Sequence, residues 1–196
     1  TRAGERQPLA KDELLDPLDL FDVGRSVEPR TFGRLLDPGA GLALLDRDWR
    51  LVKGSHLLEV QVYRNTLYSL CARTTLAAAM HAEGAERQRL IRRTKRFASG
   101  LRKTGATWAI AVASLLEAGV ATLNEASEEA EANLRRAEGL FGHTDMRHYL
   151  AATRYRLSQL RPELSRERDL AERWIAEEAV RNADRLFGVF APGRWS

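Results

Sequence analysis

The stretch AERQRLIRRTKRFASGLRKTGATWAIAVASLLEAGVATLNEASEEAEANLRRAEGLFGHTDMRHYLAATRYRLSQL, Ala85 to Leu160, decides the fold. Leu90, Thr94, Phe97 and Leu101 recur in steps of four, three and four, which follow one face of a 3.6-residue helix. Ala130, Leu134, Ala137 and Phe141 repeat the same steps, so 90 maps to 130, 94 to 134, 97 to 137 and 101 to 141. Trp108, Val112, Leu115 and Gly119 mark a returning helix after the first series. Tyr149, Ala152 and Leu157 mark the return after the second. A fixed offset between two such faces predicts a repeated helical hairpin.

Working outward, Asp37-Pro38-Gly39 is a turn, and Pro38 suits the first position of a helix carrying Leu42, Leu45 and Trp49. Gly54 breaks that helix, and Ser55 is placed to cap the next, expected over about His56 to His81. Gly105 is suited to a left-handed helix end. Asn124 is expected to cap the helix whose first turns hold Glu125, Glu128, Glu129 and Glu131, where acids oppose the positive end of the dipole. Pro162 stops its predecessor near Leu160, Ser165 is expected to cap Arg166 to Ala179, and Asn182 opens a short last helix with Leu186, Phe187 and Phe190. The expectation is an all-α protein of about eight helices: stacked antiparallel pairs, a tetratricopeptide-like α-solenoid, closed by a C-terminal capping helix.

This places an irregular, proline-containing lead-in at 1–38, the helical-repeat domain at 39–193 and a tail at 194–196. Within the lead-in, Asp12 to Val23 interleaves acids with large apolar residues. It reads either as an acidic–hydrophobic docking segment or as a lead-in whose leucines pack on the first helices. The chain of 196 residues, 44% hydrophobic and 30% charged, suits one domain or one array. Its 31 basic and 27 acidic residues make a mixed surface and not a polyanion-binding composition. A single cysteine, Cys71, excludes an intramolecular disulfide and fits a reducing compartment. No apolar run approaches the ~20 residues of a membrane span, and TRAGERQ is no signal peptide. A cytoplasmic chain is the expectation. The polar start without Met suggests an excised segment of a larger protein, or a processed terminus.

Chemistry is not legible. There is no phosphate loop, and Gly39-Ala40-Gly41 lacks both a third glycine and a preceding strand. His56, His81, His143 and His148 have no ligand spacing, so no metal or cofactor is expected. Cys71, among Leu67, Leu70 and Leu76, reads as a small buried hydrophobe. The strongest charge feature is basic: Arg87, Arg89, Arg92, Arg93, Lys95, Arg96, Arg102 and Lys103, opposed within their helix only by Glu86. Arg89, Arg92, Arg93, Arg96, Arg102 and Lys103 are the candidate interaction surface. Helix 85–103 can contact phosphates, although no aromatic interleaves its polar face for base stacking. It is otherwise expected to face the acid-rich helix of the next repeat and be neutralised there.

The stretches WRLVKGSHLLEVQVYRNTLYSLCARTTLAAA, GHTDMRHYLAATRYRLSQL and AEEAVRNADRLFGVFAPG resemble the C-terminal helical-repeat region of large serine/threonine kinases of myxobacterial-type bacteria. In that family a kinase domain precedes an AAA/STAND-type ATPase and then tetratricopeptide-like repeats. The resemblance spans roughly Gly41 to Gly193, with a period near 40 and without the W-x-x-L-G-x-x-Y signature. No kinase or Walker motif is present, so no enzyme activity is expected of this segment. The resemblance implies a scaffold for protein–protein interaction, or for autoregulation of upstream catalytic domains of the same chain. Nucleic-acid binding through helix 85–103 is the alternative; no membrane partner is expected.

Overall fold

The computed structural model describes residues 38–195. The chain divides into two units, 1–33 and 34–196, and all the described residues belong to the second. The acidic–hydrophobic segment 12–23 lies outside the described residues.

The described residues form eight α-helices in order: α1 (Pro38–Gly54), α2 (Gln61–His81), α3 (Gly84–Lys103), α4 (Thr107–Leu123), α5 (Ser127–Phe141), α6 (Arg147–Leu160), α7 (Ser165–Glu177) and α8 (Ala183–Phe190). A short 3₁₀ turn, His56–Leu58, joins α1 to α2. No strand occurs among the described residues. Helix pairs pack on one another in the manner of a helical-repeat solenoid, as expected from the sequence.

The two matched series are the cores of α3 and α5. Leu90, Thr94, Phe97, Leu101, Ala130, Leu134, Ala137 and Phe141 are all buried. Each fully buried leucine or phenylalanine here contributes about 1.5–3 kcal/mol. The phase of the pairing differs from expectation. The tightest partners are α2 with α3 and α4 with α5, not α3 with α4 and α5 with α6. Two features explain the first pair. Gly84, at φ +53°, turns the chain sharply between α2 and α3. Thr75 and Thr94 then share a buried hydroxyl hydrogen bond of 2.9 Å across that pair.

Helix α4 is the spine. Every residue from Ala111 to Leu116 and from Ala118 to Leu123 is buried, as all-round apolarity requires. It packs against α3, α5 and α2. The C-terminal segment covers what remains. At Gly119 any Cβ would meet the Pro192 carbonyl oxygen and lie 2.8 Å from Leu76 Cδ2. The Arg194 N–H donates to Thr122 Oγ1 at 2.9 Å, and its guanidinium to the Met80 carbonyl at 3.2 Å. Trp195 is 5% exposed, its indole N–H donating to the Ala191 carbonyl at 3.1 Å. Arg194 and Trp195, read from the sequence as the start of a tail, are part of the packed unit.

Several helix ends also differ. Ser55 accepts from the Leu57 N–H and so caps the 3₁₀ turn, while α2 begins only after Val60. Asn124 ends α4 and does not open α5. There the Ala126 N–H donates to the Ala121 carbonyl and the Glu125 N–H to that of Thr122, with Glu125 at φ +59°. That pair of bonds is the Schellman ending; it makes Asn124 the C-cap of α4, and α5 begins after Ala126 without a side-chain cap. The end of α7 repeats it: Val180 bonds back to Ile175, Ala179 to Ala176, with Ala179 at φ +51°. Ser165 is therefore the first residue of a helix ending at Glu177, short of the expected Ala179. Asn182 does cap α8, accepting from the Arg185 N–H at 2.8 Å, and Gly105 is left-handed at φ +75°.

Candidate interaction face of helix α3

Helix α3 is built from strong helix formers, with Glu86 in its first turn and Arg102 and Lys103 in its last, both favourable to the dipole. It buries Leu90, Ile91, Thr94, Phe97, Ala98 and Leu101. Its basic residues therefore divide by angle around the axis.

Three of the six candidate residues are engaged internally. Arg89 makes two 2.7 Å hydrogen bonds to Glu86, which hold the Glu86 carboxyl below its ordinary range. Arg93 pairs with Asp46 of α1 and lies over the Phe97 ring, 6.0 Å from its centroid. Arg102 reaches across to α4, donating through Nε to Glu117 at 3.0 Å, and the Glu117 hydrogen bond raises its pKa. Arg92, Arg96 and Lys103 are different. They are exposed, and no ion pair among the described residues includes them or their neighbour Lys95. At 100° per residue these four fall within one arc, and at 1.5 Å per residue they form a row about 16 Å long. Lys95 belongs with them although the sequence reading left it out; its spacing of three from Arg92 was the available signal.

The expected neutralisation by the next repeat does not occur. α4 packs against both α3 and α5, and the exposed basic residues of α3 lie on the side of that helix away from its buried face. Two acids of α5 pair further along the chain, Glu131 with Arg161 at 2.6 Å and Glu138 with Arg154 at 2.9 Å, and none of the α5 glutamates pairs with a basic residue of α3 among the described residues. Arg135 of α5 pairs with Glu167 of α7 at 2.6 Å. The row on α3 stays cationic.

Beside its C-terminal end lies an apolar shoulder. Leu51, Leu57, Val60 and Val62 are the exposed large hydrophobics among the described residues, Leu51 to 71%. The Gln61 side chain donates to the Thr104 carbonyl at 3.0 Å, which fixes the start of α2 next to the residue following Lys103.

Other groups carry less chemistry. Cys71 is buried, and desolvation pushes its thiol up to about 12, far from a thiolate. His148 is packed between Tyr149 and Phe190, its pKa lowered by burial and by Arg73. His56 pairs with Glu59 on the surface. Among the described residues no cluster of His, Cys, Asp or Glu is arranged to hold a metal ion, and no helix is long and apolar enough to cross a membrane. A cleft of about 450 Å³ opens between the start of α1 and the α2–α3 turn, with His81 and Glu86 at its edge. Its Glu86 is already held by Arg89.

Comparisons with family models, curated proteins and solved structures return no match. The resemblance to kinase-associated repeat regions therefore rests on the three sequence stretches that carry it.

Buried Arg156 is the residue that sequence reasoning missed. It is 6% exposed, donates through Nε to the Ala191 carbonyl at 3.2 Å and lies against the Tyr155 and Trp195 rings. Burial brings its pKa down to about 10. Its role is to anchor the C-terminal segment.

Proposed function

We propose that this chain is a non-catalytic helical scaffold for protein–protein recognition, and that the outer face of α3 is its contact surface. One observation carries the reading: Arg92, Lys95, Arg96 and Lys103 lie exposed along one side of α3 without partners among the described residues, whereas Arg89, Arg93 and Arg102 of the same helix are paired. Exposed like charges three and four apart on a helix repel one another, so the row favours an oppositely charged partner. From the sequence resemblance, the scaffold belongs to a cytoplasmic bacterial signalling protein and regulates attached kinase and ATPase domains.

Expressed separately, the chain should bind those upstream catalytic domains in trans, and Arg92→Glu with Arg96→Glu should weaken the complex. Domains that are not retained by the wild-type chain at low salt would remove the autoregulatory form of this proposal. A defined protein partner bound equally by both proteins would remove α3 as the contact.

The uncompensated row also favours a second reading, nucleic-acid binding. Four phosphate contacts give a slope of about −3.6 in log K against log salt on duplex DNA. Titrating duplex and single-stranded DNA or RNA at two salt concentrations checks this. Weak binding that is unchanged by the two reversals excludes it.

A further inference from the structure

We propose that the partner is an acidic amphipathic protein segment whose carboxylates lie along α3 and whose apolar side chains sit on the shoulder of Leu51, Leu57, Val60 and Val62. The proposal rests on the protein-recognition reading and adds the chemistry of the partner.

Two features meet at one end of α3. The cationic row runs from Arg92 to Lys103, and the Gln61–Thr104 hydrogen bond brings the start of α2, where Val60 and Val62 flank Gln61, to the residue that follows Lys103. Either alone is weak evidence, since scattered exposed apolar residues are ordinary. Together they demand a ligand that is charged along most of its length and apolar at one end. Nucleic acid supplies the charge but leaves the shoulder unused, because leucine and valine offer no ring for base stacking. An acidic amphipathic helix supplies both, in the way such helices commonly seat in grooves.

The local charges agree. Arg50 and Lys53, near the end of α1, are exposed. Two nearby acids are neutralised by arginines, Asp46 by Arg93 and Glu117 by Arg102, and Glu59 is hydrogen-bonded to His56. A helix covering the row and the shoulder needs about 18 residues, or about 27 Å.

The test uses a synthetic helical peptide of about that length, with glutamates on one stripe and leucines confined to one end. Polyglutamate of equal length and a short DNA duplex serve as comparisons. The amphipathic peptide should bind at least about tenfold tighter than polyglutamate, the difference coming from the apolar contact. Arg92→Glu with Arg96→Glu should weaken it by about tenfold or more and flatten its salt dependence. Leu57→Ser with Val62→Ser should weaken it several-fold and leave the salt dependence unchanged. All four positions are exposed, and circular dichroism confirms that the variants fold. Polyglutamate or duplex DNA binding as tightly as the amphipathic peptide overturns the proposal. A native protein partner held equally by wild type and the Arg92→Glu/Arg96→Glu protein also overturns it, yet leaves the scaffold reading standing. That reading fails separately, when the wild-type chain holds no protein partner.

Discussion

Glycine 119 tests the packing of the spine. In an exposed helix, Gly→Ala stabilises by roughly 1 kcal/mol through helix propensity. At Gly119 the new methyl group would lie 2.8 Å from Leu76 Cδ2 and collide with the Pro192 carbonyl oxygen. An alanine Cβ has no rotamer by which to escape. Overpacking a fixed contact costs about 1–3 kcal/mol. The alternative is for Ala191–Trp195 to lift away, which exposes the buried Trp195 and breaks the Arg194–Thr122 and Arg156–Ala191 hydrogen bonds. Losing the indole burial alone costs about 2–3 kcal/mol, somewhat more than a leucine. After subtracting the propensity gain, Gly119→Ala should destabilise by up to about 2 kcal/mol. Gly139 is the control: it is exposed in α5, and a Cβ there meets nothing within 4 Å. Gly139→Ala should stabilise by about 0.5–1 kcal/mol. Urea unfolding followed by circular dichroism gives both values, and trypsin should release the residues after Arg194 faster from Gly119→Ala. Equal stabilisation by the two substitutions would refute the covering of α4 by the C-terminal segment.

Further outcomes concern buried or strained positions. Arg156→Ala should lose about 2–4 kcal/mol in the same unfolding assay, because it removes a buried side chain and leaves the Ala191 carbonyl with one donor fewer. The His148 pKa is depressed in the folded state, so below 6.5 the unfolded chain binds a proton that the native protein refuses. Stability should therefore fall as pH drops from about 7 to about 5, before the low-lying carboxyls of Asp48, Glu86 and Glu167 protonate. Denaturant midpoints across that range should be flatter for His148→Gln. Ala179→Gly relieves a left-handed non-glycine residue and should raise the midpoint by the equivalent of about 0.5–1 kcal/mol.

The helix faces were legible because burial is periodic: the offset of 40 between Leu90–Leu101 and Ala130–Phe141 is an offset in what each helix must hide. Caps were less so. Asn124 and Ser165 carry the right side chains for an N-cap, but the left-handed turn at Glu125 makes Asn124 the end of α4 and moves the start of α5 past Ala126, and α7 starts one residue early. Which arginines of α3 stay free was legible only in part. Pairing depends on which neighbour faces each residue, and that follows from α4, not α5, lying against α3. Arg102 thus found Glu117, and Arg93 found Asp46, partners 15 and 47 residues away in sequence. The place of Trp195 was invisible, since one aromatic in the sequence's last residues has no period to read.

If the cationic row on α3 serves a partner and not the fold, removing its charges must spare stability and abolish binding. The direct measurement is the unfolding free energy of Arg92→Gln/Lys95→Gln/Arg96→Gln/Lys103→Gln beside that of Arg102→Gln. The four-fold variant should be as stable as wild type, or gain a few tenths of a kcal/mol from relieved repulsion, while losing peptide binding. Arg102→Gln should lose roughly 0.5–1 kcal/mol with its part-buried Glu117 pair. A four-fold variant destabilised by more than about 1 kcal/mol would contradict a partner-serving row, because exposed residues without internal partners contribute little to the fold.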